Sequence, residues 1–593
     1  MNIQKNSPTV DHVTASVIQG ALENISIEMG YKLMRMSYSS IIRESEDFGA
    51  GLVDLSGRGL AESAQSTPLQ SGPIPGYVRG VLKIMAERGE EFRPGDVVMH
   101  NDAYAGASHV PDVGFIVPVF YDGELIAFSA TTAHHLDIGS LTPGSCGIVD
   151  AIDAYAEGLQ FKAIKLYEQG EKVMPVWHIL RDNIRVSDLV VGDMEAQIAA
   201  ARIGGERLVE LIDRYGKTVF QAACEDVMNH SERLMRQAIA ALPDGTYSAT
   251  TYIDGFLDHP DPAYRELPLC VAITVTGDEM VVDLTGTAKQ IDDKPINMPL
   301  HGTVDIAVWL TVRSVLLDTA VHGHIPVNDG LVRPIKIVAP LGCLANPIFP
   351  APTIARFCPG NQLADTVMKA LAEVAPSQVS AGIGNLRVIA FSGLRNSEHW
   401  VHMEIFEGSY GGRDGKDGMD AVDTLYANTR NNPIEDIESH LPLRVGRYEL
   451  REDVCGAGQW RGGLGSIREF EYLDDGGASI EGEGHKFPPW GFRGGNDGGA
   501  AGLRLDRANG NDKEGGELPS KVPHTAVQAG DKFVCVGPAG GGYGDPMLRE
   551  AQQVLEDVTD GLISIDTAAR DYGVVITPDL NLDEAATAQR RAS

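Results

Sequence analysis

The stretch His109-Val-Pro-Asp112-Val-Gly-Phe-Ile-Val-Pro-Val-Phe-Tyr121-Asp122-Gly123-Glu124-Leu-Ile-Ala-Phe-Ser-Ala-Thr-Thr132-Ala-His134-His135-Leu-Asp137 decides how this chain is read. Two apolar, β-rich runs, Gly114–Tyr121 and Glu124–Thr132, meet at Asp122-Gly123, the strongest short hairpin signal a sequence offers. A two-residue turn there puts His134 opposite Pro111, Ala133 opposite Asp112 and Leu136 opposite His109. In a regular strand pair, His109 and His134 then share one face and Asp112 points to the other. Pro111 cannot donate to a ladder, which leaves Asp112 free to turn inward. Two imidazoles and one carboxylate with open positions suit a catalytic divalent cation, and zinc, manganese and iron all accept such donors. Asp137 or His135 stands beside them to orient a ligand or shuttle a proton.

Outward from the hairpin, Val10–Met36 has apolar residues at helical spacing (Val17, Ile18, Leu22, Ile25, Leu33) and no proline. Gly76–Arg88, Val186–Arg214, Lys217–Leu242, Gln362–Val374 and Pro546–Asp560 read as further helices. Strand patterns fill Tyr247–Val338, interrupted by an apolar helical segment at Val304–Leu317. Beyond Arg444 the chain turns β-rich, and Gly491–Gly515 reads as a long exposed loop. This order predicts an α+β, multidomain chain of mixed helices and antiparallel-rich sheets. The expected divisions are 1–245 with the hairpin, 246–443, and a glycine-rich β region with a C-terminal helix at 444–593.

Composition narrows the function. Of 593 residues, 43% are apolar and 22% charged, which suits a folded globular chain. The net charge of −33 gives no basic face for nucleic acid or an anionic membrane. Seven scattered cysteines with no C-x-x-C pair form neither a disulfide framework nor a thiolate zinc cluster. No run approaches the ~18–20 apolar residues of a membrane span, and the polar N-terminus is not a signal peptide, so the expected location is the cytoplasm.

Other catalytic signatures fail. Gly216-Lys217-Thr218 lacks the first glycine and the preceding strand of a phosphate loop, and no G-x-S-x-G elbow is present. The pairs His322/His324 and His399/His402 show no carboxylate at a comparable spacing and read as structural. Glu44, Glu46 and Asp47 read as a solvated turn.

Several motifs together resemble the hydantoinase B/oxoprolinase family over about residues 10–575. They are Arg43-Glu-Ser-Glu-Asp47-Phe, Gly95-Asp-Val-Val-Met-His-Asn101-Asp102-Ala-Tyr-Ala-Gly-Ala-Ser-His109-Val-Pro-Asp112, Ala133-His134-His-Leu-Asp137-Ile-Gly139 and Tyr155-Ala-Glu157-Gly158. Asn431-Asn-Pro-Ile-Glu435, Arg461-Gly-Gly-Leu-Gly465 and Gly540-Gly-Gly-Tyr-Gly-Asp-Pro546 extend the match. The resemblance implies a hydantoinase A-type partner subunit that binds ATP with magnesium and phosphorylates a small-molecule substrate, in a hetero-oligomer. It also implies a metal held by a His-x-x-Asp pair and a second histidine 25 positions after the first, which falls on His109, Asp112 and His134.

The leading expectation is a metal-dependent subunit that opens a cyclic amide or imide. The alternatives are the large subunit of an ATP-dependent ketone carboxylase and a non-catalytic scaffold. Two departures from the family pattern stand out: Ala103 replaces the proline of N-D-P-Y, and Gln70 stands where many hydantoinases carry histidine.

Overall fold

A computed structural model describes residues 10–145, 147–510 and 515–592; Cys146 therefore lies outside the described residues. Four sheets and their helices form an α+β fold, as the sequence pattern predicts. The first sheet has seven antiparallel strands in the order Gly59–Glu62, Phe48–Asp54, Glu124–His134, Asp112–Tyr121, Val97–His100, Ile164–Glu168, Glu171–Lys172. The predicted hairpin is therefore central, flanked on both sides.

The hairpin turn forms as expected. Asp122 and Gly123 both adopt positive φ (51° and 80°), as a tight two-residue connection requires. Tyr121 pairs with Glu124 and Phe120 with Leu125, the register of that turn. A bulge beyond Leu125 then shifts the ladder by one residue, so that Val119 faces Ala127 and Asp112 faces His134. This corrects the uninterrupted register. Directly opposed residues share a sheet face, so the bulge, rather than Pro111, brings the Asp112 carboxylate to His134.

Long helices cover the sheet. His12–Met36 is capped by Asp11, which accepts the Thr14 N–H at 3.0 Å. Ser187–Tyr215 buries Val190, Met194, Ile198 and Leu208 at the spacing that marks one helix face. Gln197 on this helix donates to the Val113 carbonyl (3.0 Å), fixing the helix to the hairpin. Helix Ile74–Arg88 packs against the loop leading to His109. Gly80 makes that approach possible, because a methyl there would sit 1.7 Å from the Ala105 carbonyl oxygen.

A second sheet joins Gly245–Gly255, Arg265–Thr276, Glu279–Asp283 and Ile335–Val338, and helices Asp305–Leu316 and Phe357–Leu371 share one hydrophobic core with it and with the first sheet. The third sheet pairs Arg387–Arg395 and Glu398–Phe406 with Gly476–Gly482 and Val522–Val527, and so has two strands on each side of residue 443. The fourth joins Leu443–Leu450, Ser466–Tyr472, Lys532–Val536, Gly502–Asp506 and Gly516–Glu517.

Of the expected exposed loop Gly491–Gly515, residues 511–514 lie outside the described residues, and the described part is tied by main-chain hydrogen bonds and contains a strand. Phe492 N–H donates to Gly542 O (2.9 Å), Gly542 N–H to Asn496 O (2.9 Å) and Asn496 N–H to Ala457 O (2.8 Å), while 502–506 is a strand. Glycine serves close backbone packing here, since a methyl on Gly498 would lie 1.9 Å from Ala539 O. Past the expected helix (Ala551–Thr559), the polar tail adds Ile565–Asp571 and Glu584–Arg591. No described helix is long and apolar enough to cross a membrane.

Gly80→Ala tests the approach of helix Ile74–Arg88 to the His109 loop. Overpacking of this kind costs roughly 1–3 kcal/mol, so thermal and urea unfolding should shift downward relative to Gly20→Ala, whose added methyl meets nothing within 4 Å.

Candidate metal centre

Asp112 is the hub of the site. It opens its strand at 0% exposure, and each carboxylate oxygen is engaged. Oδ1 lies 2.9 Å from His109 Nε2, 3.0 Å from His134 Nδ1 and 2.9 Å from the donating Gln70 Nε2. Oδ2 accepts from Arg356 Nη2 and Ser108 Oγ, both at 2.6 Å. Burial pushes the Asp112 carboxyl up, but His109, His134 and Arg356 outweigh it and hold the group well below the usual range. One donor atom each from His109, Asp112 and His134 lies within 4.8 Å of the others.

The chemistry of this donor set fits a cation. His109 Nδ1 sits 2.8 Å from the Ile354 carbonyl, which can only accept, so that nitrogen carries the proton. Burial also pulls His109 down to about 4, leaving the ring neutral near pH 7. Nε2 then presents a bare lone pair to an ionised carboxylate oxygen 2.9 Å away. A positive charge shared by the two atoms turns that repulsion into binding. His134 Nε2 is buried and meets no partner, which adds an unspent donor to the cluster.

Asp47 joins them from the turn whose sequence reads as solvated. Ser45, Glu46 and Asp47 are all buried, and Glu46 adopts a positive φ of 56° and pairs with Arg430 at 3.0 Å. Asp47 accepts from Thr67 Oγ1 (3.3 Å), and its carbonyl receives the His134 N–H (3.2 Å). Burial pushes its carboxyl up to about 6, with neighbouring Asp112 adding to the rise and His134 opposing it. Asp47, His109, His134, Arg356 and Glu481 line a small cavity of about 30 Å³, whose remaining wall is Leu69, Ile354, Phe357, Val388, Met403 and Ile405. Burial also raises the Glu481 carboxyl, which accepts the Cys358 N–H at 2.9 Å.

The other two sequence candidates lie off this cavity wall. Asp137 pairs with Arg185 (2.9 Å) and accepts the Gly139 N–H (2.9 Å). His135 Nε2 meets Gln197 Oε1 at 2.9 Å, and burial lowers that ring to about 4. His402 does have a carboxylate partner, Glu404, at 2.8 Å and two residues along the same strand face. Arg356 gave no local sign in the sequence, because it stands 244 positions from Asp112 and caps helix Phe357–Leu371.

A buried two-histidine, one-carboxylate cluster on the central hairpin of an α+β chain defines a candidate metalloenzyme component. The chain belongs to the Hydantoinase B/oxoprolinase family, whose model matches residues 11–546. It is 62% identical to the B component of a putative D-/L-hydantoinase from Pseudomonas sp. (strain NS671), over 98% of each chain. It is 33% identical to the beta chain of caprolactamase from Pseudomonas jessenii, over 99% of this chain and 100% of that one. The crystal structure of ATP-dependent caprolactamase from that organism superimposes with a TM-score of 0.89 at 30% identity, covering 99% and 100% of the two chains. A nucleotide-free acetone carboxylase structure shares the fold, with a TM-score of 0.86 at 18% identity over 98% of this chain and 82% of that one. The hydantoinase and caprolactamase relatives are each named as one subunit of an enzyme, which implies a partner.

Two outcomes follow for the metal-free chain. Arg356→Met strips a buried carboxylate of its guanidinium and should cost about 3–5 kcal/mol in urea unfolding; a loss below about 1 kcal/mol would contradict the role given to Arg356. His109 and His135 sit near 4 when folded, against about 6.5 when unfolded, so the unfolded chain binds more protons between those values. Their contribution is intact above about pH 6.5 and is lost as pH falls toward 4, at up to roughly 2.7 kcal/mol per pH unit for the pair. Urea midpoints measured from pH 7 to 4.5 should fall accordingly, and a flat profile would refute the neutral assignment.

Proposed function

We propose that this chain is the ring-opening subunit of an ATP-dependent hydrolase for a cyclic amide or imide. In this reading His109, Asp112 and His134 hold a divalent cation, and the Asp47 carboxylate lines the cavity beside them. The observation that carries it is the bare His109 Nε2 facing the ionised Asp112 Oδ1 at 2.9 Å, beside a small cavity that His109 and His134 both line. The hydantoinase and caprolactamase relatives, both named for cyclic amides, support the substrate class. ATP binding and phosphorylation of the substrate fall to a hydantoinase A-type partner, in keeping with the missing phosphate loop here. The complex then works in the cytoplasm, where ATP is supplied.

A zinc, manganese or iron ion supplies Lewis acidity at such a centre and draws the pKa of water toward neutrality. The chain's own groups supply positioning and proton transfer. Arg356, Ser108 and Gln70 fix the Asp112 carboxylate in one orientation. Leu69, Phe357, Val388, Met403 and Ile405 give the cavity an apolar wall that limits bulk water at the centre. Water adds to the activated ring carbon and gives up a proton, and the C–N bond breaks. A second water releases the phosphoryl group as phosphate from the acyl phosphate left behind. The leaving nitrogen needs a proton. Glu481, on the cavity wall with a raised carboxyl, is placed to supply it, in preference to Asp137 or His135.

The test uses the complex reconstituted with its ATP-binding partner, metal content by mass spectrometry, and product formation from hydantoins and lactams. His109→Ala and Asp112→Asn should lose both the stoichiometric ion and ring opening. Glu481→Gln should retain the ion and lose about 100-fold or more in turnover. Label from bicarbonate retained in the product would instead identify a ketone carboxylase. Full activity of His109→Ala, with no ion in the wild type, would leave only the scaffold role.

A further inference from the structure

The motif Tyr155-Ala-Glu157-Gly158 has no part in the reading above, yet it places a carboxyl in the interior. Glu157 ends the short turn Ala154–Glu157, which Asp153 caps through the Tyr155 and Ala156 N–H groups (3.0 and 3.1 Å). Gly158 follows with φ 128°, and a methyl there would sit 2.7 Å from the Ile138 side chain. Glu157 is 0% exposed, and the groups that meet its carboxyl are main-chain amides and a hydroxyl. Its Oε1 accepts the N–H groups of both Thr353 and Ile354 (2.6 Å for the latter), and Oε2 accepts the Thr353 hydroxyl at 3.4 Å.

The same segment is held from other sides. Tyr104 OH donates to Ala351 O (2.6 Å), Asn297 Nδ2 to Pro352 O (2.8 Å) and the Ala154 N–H to Pro350 O (2.9 Å). The Ile354 carbonyl, whose peptide unit is also tied through the Ala355 N–H to Pro295 O (2.8 Å), accepts His109 Nδ1–H at 2.8 Å. That contact selects the ring tautomer and aims Nε2 at Asp112.

We propose that Glu157 is a positioning residue for His109, acting through the main chain of Thr353 and Ile354. Its carboxyl grips two adjacent amides, the grip orients the Ile354 carbonyl, and the carbonyl fixes which nitrogen of His109 is free to bind a cation. Only the consequence for metal affinity rests on the proposed function; the orientation of His109 is a property of the fold. Burial pushes the Glu157 carboxyl up to about 8, so an uncharged isostere can take its place.

Reach, rather than charge, is then what the site needs. Glu157→Gln keeps an acceptor oxygen at the same distance, whereas Glu157→Asp keeps the acid but falls one methylene short of the strap. Zinc affinity of the full chain, measured by competition with a chromophoric chelator, should stay within about threefold of wild type in Glu157→Gln. It should fall about 10–100-fold in Glu157→Asp and Glu157→Ala, the usual cost of losing the partner that orients a ligand. Crystal structures of the metal-free Gln and Asp variants give a second readout. The Ile354 carbonyl should remain on His109 Nδ1 in the first and leave it in the second. Wild-type affinity in folded Glu157→Asp, or a loss in Glu157→Gln as large as in Glu157→Ala, overturns the proposal. If the wild type binds no zinc, the metal reading fails, and the two crystal structures still decide the role of Glu157.

Discussion

A single buried carboxylate organises this molecule. An ionised Asp112 at zero exposure is costly unless every lone pair is met. The chain meets them with groups from distant places: Gln70 from a short helix, Ser108 from the preceding turn, His134 from the partner strand, and Arg356 from the N-terminus of helix Phe357–Leu371. The centre therefore cannot exist in the isolated hairpin. Docking of helix Phe357–Leu371 onto the first sheet both completes the core and supplies the guanidinium, so folding and site assembly are one event.

The same economy explains the abundant glycine. Where Gly80 meets the Ala105 carbonyl, and where Gly498 meets Ala539, backbone lies against backbone at distances that no side chain permits. The first contact seats the loop that ends in His109. The second belongs to a hydrogen-bonded layer of extended segments that anchors the fourth sheet. Rigidity in both places comes from satisfied amides rather than from interdigitating side chains.

What the sequence made legible was local. The Asp-Gly turn, the helix periodicities and the His109, Asp112, His134 trio all depend on residues within a few turns of one another. What it concealed was set by long-range packing. A one-residue bulge after Leu125 reversed the face of Asp112, and nothing in the alternation of apolar residues marks it. Asp47 reads as a turn carboxylate because its burial is imposed by the distant segment of Arg430 and Asn432, the latter 387 positions from Ser45. Arg356, Glu481 and Glu157 carry no spacing signal at all, since their partners are 244, 123 and 197 positions away. The glycine-rich stretch after Gly491 misleads for a related reason: composition cannot separate a glycine needed for freedom from one needed for closeness.

Gln70 shows how such a network sets chemistry from one position. Its amide nitrogen donates to Asp112 Oδ1, the oxygen that His109 Nε2 and His134 Nδ1 also approach. An N–H donor withdraws electron density from that oxygen, whereas an imidazole lone pair in the same place would add to the donor set. Gln70 thus acts first on the carboxylate of the candidate metal centre, and only through it on the cavity that His109 and His134 line.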